Sequence, residues 1–383
     1  MKEQPSGSAP ADSGDGRTEL PRPSWLMTKD GWRDEVDHPP QPPDLDACPP
    51  RGSPLTPGDP RLRYHATMVT VETPAILLAR ARLRQLLWAG GPRTEGRLGM
   101  AIDGLSGTGK SRTMFSAAQA MERGINAALP KDTNRIPVIA INVPPIGTGG
   151  TRPWAQAISS FIDVLPGNPA HLTRAVCTRL RNAQTKVLLI DGIESLALGA
   201  DAEQAFDFLR YLRNETGIFI VYCGEGSARL LDAAVCSHQP SAAEARHPPT
   251  SYAPVVRTRP FPRPTRSPND IWRNIVKTYD NNVRLFRHQP DDLTRLAEEL
   301  WERTWGYMGA LSYLLCTVAQ EAIFCEEERI TLELVDRMWI GRPEPDTTAR
   351  LDVATANDAG GPPSGGDTQT GGGIRSPEHR SGA

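Results

Sequence analysis

Between residues 98 and 223 the chain alternates short, wholly apolar runs with stretches whose apolar residues recur every three or four positions. Residues 98–103 (Leu-Gly-Met-Ala-Ile-Asp), 136–143 (Ile-Pro-Val-Ile-Ala-Ile-Asn-Val), 186–191 (Lys-Val-Leu-Leu-Ile-Asp) and 217–223 (Gly-Ile-Phe-Ile-Val-Tyr-Cys) are the apolar runs. Strands apolar on both faces belong to a parallel sheet covered on both sides. Between them, Leu172, Val176, Cys177 and Leu180 share one helical face, as do Ala205, Phe208, Leu209 and Leu212. A further helix is predicted over 110–123. A stretch rich in Pro, His and Arg, 238–254, interrupts the alternation, and 255–261 reads as a fifth strand. Beyond it the pattern is helical: 269–286, 291–304, 308–325 and 331–340, with Thr331 as an N-cap. The expectation is an α/β domain with a parallel five-stranded sheet flanked by helices, followed by a small helical domain.

Composition changes the ends of this picture. The 34 glycines and 36 prolines among 383 residues concentrate in residues 1–60 and from about Thr347 onward. Neither stretch carries enough apolar surface to offset the entropy of ordering it. The predicted boundaries are a tail over 1–60, the α/β domain over 61–266, the helical domain over 267–342 and a Gly/Ser-rich tail over 343–383. One island near 24–36, with Trp25 and Trp32 in polar surroundings, reads as a segment that docks on its own chain or on a partner. The net charge of −2 makes any basic face a local one. Six scattered cysteines without a CxxC pair predict free thiols in a reducing compartment. Cys236, His238 and His247 lack a fourth ligand and a usual metal spacing, so they read as a polar loop. The N-terminus has no apolar core and no stretch of about 18 apolar residues occurs, so a soluble, cytoplasmic protein without a membrane segment is predicted.

The first apolar run ends in Gly104-Leu-Ser-Gly-Thr-Gly109-Lys110-Ser111, a full match to G-x-x-x-x-G-K-[ST]. Glycines let the backbone turn so that successive N–H groups face phosphate oxygens, and the following helix adds its positive N-terminus. Lys110 reaches the β- and γ-phosphates and Ser111 offers a hydroxyl to Mg²⁺. The motif predicts ATP with Mg²⁺, bound by Gly104, Ser106, Gly107, Thr108, Gly109, Lys110, Ser111 and Arg112. Asp191, closing the third apolar run, is the candidate second acid for the metal. Many such ATPases carry a water-activating Glu directly after that acid, where this chain has Gly192. Glu194 is the candidate substitute, against the plainer reading of an exposed glutamate. Binding is predicted, and hydrolysis through Asp191 and Glu194 is expected to be slow.

The order of parts resembles the AAA+ ATPase subunits of bacterial transposons, of the TniB/TnsC kind, with the IstB-like helper ATPases as cousins. The residues carrying it are Thr28-Lys-Asp-Gly-Trp32, Tyr64-His65, Thr73-Pro74, the glycine loop, Ile136-Pro-Val, Val143-Pro-Pro145, Asp191, Pro260-Phe261 and Thr304-Trp-Gly306-Tyr-Met-Gly309-Ala-Leu311. The resemblance implies an AAA+ fold with a helical lid, ATP-dependent homo-oligomers around or along DNA, and the handing of a transposase to its target. Three departures from the family pattern stand out, of which Gly192 is the first. The strand tip Tyr222-Cys223-Gly224-Glu225 lacks the Thr or Asn common there. No arginine occupies the first turns after Gly306, and Arg303 lies just upstream. Arg229 and Arg246 are candidates for an intersubunit arginine finger. From 257 to 287 eight cations (Arg257, Arg259, Arg263, Arg266, Arg273, Lys277, Arg284, Arg287) face two aspartates. This segment would bind double-stranded DNA without sequence preference, or is a solvated helix face behind a basic loop. Arg174, Arg179, Arg181 and Lys186 read as a solvated helix face. The competing reading is a signalling or defence NTPase switch whose partner is a protein, served by the Trp25/Trp32 island.

Overall fold

A computed structural model describes residues 26–56, 58–89, 99–145, 150–164, 169–196, 200–230 and 254–338. Trp25, Leu98, Cys236, His238, Arg246, His247 and the two terminal stretches, 1–25 and 339–383, lie outside them.

Strands β1 (Met100–Asp103), β2 (Val138–Asn142), β3 (Val187–Asp191), β4 (Phe219–Cys223) and β5 (Val255–Arg257) form one parallel sheet in the order β2-β3-β4-β1-β5. The sheet is covered by α3 (Pro74–Ala89), α4 (Lys110–Ala128), α5 (Arg152–Phe161), α6 (Pro169–Asn182) and α7 (Ala200–Thr216). Residues 138–141, 187–190 and 219–223 are all buried, so both sheet faces are covered. The register pairs Asn142 with Asp191 and Asp191 with Cys223, which brings three strand ends together at the carboxyl edge. β5 is shorter than its apolar run predicts. Thr258 still donates to the Asp103 carbonyl at 2.8 Å, but Pro260, Pro262 and Pro264 then remove the donors a ladder needs. The hydrophobic pattern does not mark α5, which starts at a proline within its first turn.

A second apolar cluster is built by α8 (Ile271–Asp280), α9 (Ala297–Thr304), α10 (Met308–Phe324) and α11 (Leu332–Arg337), around Trp272, Val276, Leu300, Leu311 and Leu315. Helix α8 ends before the predicted 286 because Asp280 gathers a turn around itself. Its carboxylate accepts from the backbone N–H of Asp291 and Leu293 and from the Thr294 hydroxyl. A 3-10 turn, Thr294–Leu296, then replaces the start expected for α9. Thr331 caps α11 through its hydroxyl, which accepts from the Leu334 N–H at 3.3 Å.

Residues 26–56 fall where composition predicts a tail, yet they carry α1 (Lys29–Asp37) and a 3-10 turn, Leu45–Ala47. The reason is Trp32, which is 1% exposed and donates its indole N–H to Glu122 of α4 at 2.7 Å. Its ring meets Phe115 edge-on at 6.2 Å, and Val36 is buried beside it. The next helix, α2 (Pro60–His65), packs on α10 instead, and Met68 and Val71 belong to the second cluster. Residues 26–73 therefore run as a strap from one apolar cluster to the other.

The Trp32–Glu122 contact makes α1 sensitive to pH. Burial lifts the Glu122 carboxyl from an ordinary 4.5 to about 7, against the Trp32 hydrogen bond and Arg33, which lower it, while Asp37 adds to the rise. A carboxyl raised in the folded state binds more protons than in the unfolded one, so its contribution is fully present below about 4.5 and lost as pH rises through about 7. Amide exchange of α1, corrected for intrinsic rates, is expected to show firmer docking at pH 5.5 than at pH 8 in the wild type. Glu122→Gln, which keeps an acceptor and removes the titration, should abolish that difference; an equal difference in both proteins would show that another group is responsible.

Candidate functional site

The glycine loop joins β1, which lies between β4 and β5, to α4. Gly107 and Gly109 take φ of 77° and 92°, which side-chain-bearing residues rarely adopt, and α4 starts directly at Lys110. A cavity of about 330 Å³ is lined by Ser106, Gly107, Gly109, Lys110, Ser111, Arg112, Asn142, Asp191, Gly192, Glu194 and Gly309. The loop's charged and hydroxyl groups and both candidate acids thus border a single space. The Lys110 ammonium donates to the Leu105 carbonyl at 2.9 Å, held by its own loop. Asp191 accepts from the Gly192 N–H at 3.1 Å. Gly192 then opens the 3-10 turn Ile193–Ser195, which carries Glu194 back toward the strand ends. A Cβ on Gly224 would come within 2.0 Å of the Glu194 carboxylate, so the bare α-carbon at the tip of β4 is what lets Glu194 lie there.

Two residues of the predicted binding set also make contacts on the far side of the loop. Thr108 donates to the Leu105 carbonyl at 2.7 Å and shares a 2.7 Å hydrogen bond with Thr258. Gly104 passes so close to Thr258 that a Cβ would meet its oxygens at 2.3 Å. Both shape the loop from behind instead of bordering the phosphate-side cavity. Arg112 does border it, but its guanidinium is bound by Glu35 of α1 at 2.8 Å. Arg303 lies away from the site, bonded to Asp336 at 3.1 Å and to the Met338 carbonyl. Arg229 is exposed just beyond β4.

Strand register adds two residues that local sequence does not single out. Asn142, at the end of β2, lines the cavity beside Asp191. Cys223, at the end of β4, lies among Asp191, Lys110 and Ser111. Burial, then Asp191, push its thiol well above the ordinary range, while Lys110 and Ser111 pull the other way. It is a neutral thiol at the place where the sequence shows no Thr or Asn.

On the other side of the loop a second cavity, about 390 Å³, is walled by residues from the strap (Val69, Val71), from α3 (Ile76) and from the second cluster (Tyr279, Met308), with exposed Tyr313 of α10 at its rim. Gly109, Arg112 and Gly309 border both cavities. The first turn of α10 touches the loop itself, since the Gly309 N–H donates to the Gly107 carbonyl at 2.8 Å. Burial pushes the Tyr279 phenol up to about 12, with Ser312 and Arg112 opposing, so the phenol keeps its proton at ordinary pH.

The donor set suits a nucleotide with magnesium: a hydroxyl (Ser111) and a carboxylate (Asp191) give hard oxygens, and one or two protein oxygens are what Mg²⁺ takes when phosphates and water fill the rest. Among the described residues no three His, Cys, Asp or Glu side chains cluster as a metal site, and no helix is long and apolar enough to cross a membrane. The described cysteines are free thiols.

Sheet order, phosphate loop and strand-end acid define a P-loop NTPase fold of the AAA+ type. The sequence profile of the AAA domain matches residues 93–231. No curated protein matches the chain in sequence. Among solved structures, the chain is similar to the Aeropyrum pernix ORC1 protein, solved in complex with DNA, at 18% identity, TM-score 0.49, covering 76% of this chain and 69% of that one. It is similar to the Aeropyrum pernix ORC2 protein, solved as ADPNP–ADP complexes, at 14% identity, TM-score 0.48, with 78% and 79% covered. It is also similar to Cdc6p from Pyrobaculum aerophilum at 16% identity, TM-score 0.41, with 70% and 67% covered.

Proposed function

We propose that the protein binds ATP with Mg²⁺ and acts as a slow AAA+ switch that assembles on duplex DNA and recruits or activates a transposase. What carries the reading is the single cavity bordered by Lys110, Ser111, Asp191 and Glu194. Lys110 gives up the Leu105 carbonyl for the β- and γ-phosphates, and the N-terminus of α4 adds its partial positive charge. Ser111 and Asp191 would hold the metal, which neutralises developing phosphate charge when bound. Glu194 is within the same space and serves as the base or the orienter of water. The base fits the apolar cavity beside Val69, Ile76, Tyr279 and Met308. The helices after residue 267 act as the lid, joined to the loop through Gly309.

The DNA part of the proposal rests on the exposed cations after β5 and on the resemblance in the order of motifs. Arg257, Arg259, Arg266, Lys277 and Arg287 are exposed, and their charged heads make no hydrogen bond to a described residue. Arg263 is committed to Glu298 and Glu302, Arg273 to the Thr265 carbonyl, and Arg284 to nearby carbonyls. If these five heads each meet one phosphate, the salt dependence, log K against log salt, is about −4.5 for each bound copy. The reading of a switch for a protein partner loses Trp32 as a handle, because that side chain is buried against α4.

The test is duplex-DNA binding and particle size with ATP, with ADP and without nucleotide. Assembly on DNA that needs ATP and weakens with salt is expected; a protein that stays monomeric with ATP and DNA, or binds DNA indifferently to salt, overturns the reading. For turnover, Glu194→Gln should cut hydrolysis by about 100-fold or more with ATP affinity kept. An unchanged rate removes Glu194 from the chemistry.

A further inference from the structure

Arg112 follows Ser111 in the first turn of α4 and stands where the two cavities meet. A guanidinium there is within reach of a bound nucleotide, and phosphate is the ligand its planar fork matches best. Its Nη1 instead donates to Glu35 at 2.8 Å, and the Glu35 side chain is only 11% exposed. Glu35 is carried by α1, which is fixed against α4 by buried Trp32 and Val36, and to its surroundings by Arg33 donating to the Thr133 and Arg135 carbonyls and by the Lys29–Asp163 pair. The N-terminal helix thus sets a carboxylate against the phosphate loop's neighbour, where an incoming triphosphate would seek the same cation.

We propose that Glu35 and the nucleotide's phosphates compete for Arg112, so that filling the site loosens α1 and firm docking of α1 weakens nucleotide binding. This rests on the triphosphate reading of the site. Glu35 acts here through Arg112 and is a positioning residue. Two effects work in the same direction. The carboxylate occupies donors the phosphates would use, and its negative charge repels theirs. Linkage then requires reciprocity: whatever factor docking of α1 subtracts from nucleotide affinity, nucleotide subtracts from docking. The strap carries the consequence onward, because the segment that begins at α1 continues through α2 to the second cluster.

The experiment uses the full chain with a fluorescent ATP analogue for affinity and amide exchange for α1, in wild type, Glu35→Gln, Arg112→Ala and the double variant. Glu35→Gln should bind the analogue about 5-fold tighter or more, a direction that damage to the fold does not produce. The gain should shrink in the Arg112→Ala background to what charge repulsion alone supplies, because the guanidinium that Glu35 withholds is gone. A non-hydrolysable ATP analogue should speed exchange of α1 amides several-fold in wild type and change it little in Glu35→Gln. Unchanged or weaker affinity in Glu35→Gln, or α1 exchange indifferent to nucleotide in wild type, overturns the coupling. Failure of the wild type to bind the analogue at all, with Lys110→Ala indistinguishable from it, sinks the nucleotide reading itself, so the two failures are told apart.

Discussion

Lys110→Ala should lower ATP affinity by about 100-fold or more and leave the stability of the nucleotide-free protein nearly unchanged. Lys110 is half-buried, and among the described residues its head group hydrogen-bonds only to the Leu105 carbonyl. Losing that hydrogen bond costs about 0.5–1.5 kcal/mol at most, and the carbonyl borders a cavity that water can enter. With nucleotide the same head group makes charge-assisted bonds to two phosphates, each worth about 1.5–3 kcal/mol, so about 3 kcal/mol is the smallest loss expected. Calorimetric titration of both proteins measures it. An affinity within threefold of wild type would make residues 104–111 a glycine-rich turn and nothing more.

The largest loss of stability is expected from Arg61→Met, about 3–5 kcal/mol in denaturant unfolding. Arg61 is 2% exposed and lies between Asp59 and Glu328, each at 2.8 Å and each itself buried. Methionine fills much of the space but leaves two carboxylates dry and unpaired, which is the costly half of breaking a buried ion pair. Burial alone would raise the Asp59 carboxyl; the Arg61 guanidinium and the backbone N–H groups of Arg61 and Leu62 hold it below its ordinary value. Its contribution is therefore present above pH 3.8 and fades as pH falls below that. Adding Asp59→Asn and Glu328→Gln to Arg61→Met should return most of the lost stability. No recovery would mean that Arg61 acts through its packing on Phe286, 4.6 Å away, more than through its charge.

What the sequence makes legible at this site is local. The glycine spacing and the two-faced apolar runs declare the loop, the parallel sheet and Asp191, because each is written within about eight consecutive residues. The partners of the cavity's charged residues are set by pairings far apart in the chain. Asn142 and Cys223 reach Asp191 through strand register, and Glu35 reaches Arg112 across 77 positions. Trp32 reads as a docking residue among Lys29, Asp30, Arg33 and Asp34, but the surface that receives it, Glu122 and Phe115 of α4, is set by the fold. The basic segment shows the converse error of counting: eight cations read as one surface, but the acids that quench Arg263 stand 35 and 39 residues downstream. Helix ends after 269 are displaced for a similar reason, since Asp280 outbids the helix for its own turn only once Leu293 and Thr294 have arrived.

The pairing of Arg61 with Glu328 also sets an order in time. The two are 267 residues apart, whereas Trp32 and Glu122 are 90 apart. At 5–20 residues per second, a growing chain waits roughly 13 to 53 s between making Arg61 and making its second carboxylate. Over that interval α1 can already sit on α4 and the phosphate loop can already be shaped, while α2 has no surface to rest on. The wall that Val69 and Tyr279 share across the second cavity is then a late product of synthesis, and under the proposed nucleotide reading a nascent chain would acquire its grip on phosphate well before its grip on the base.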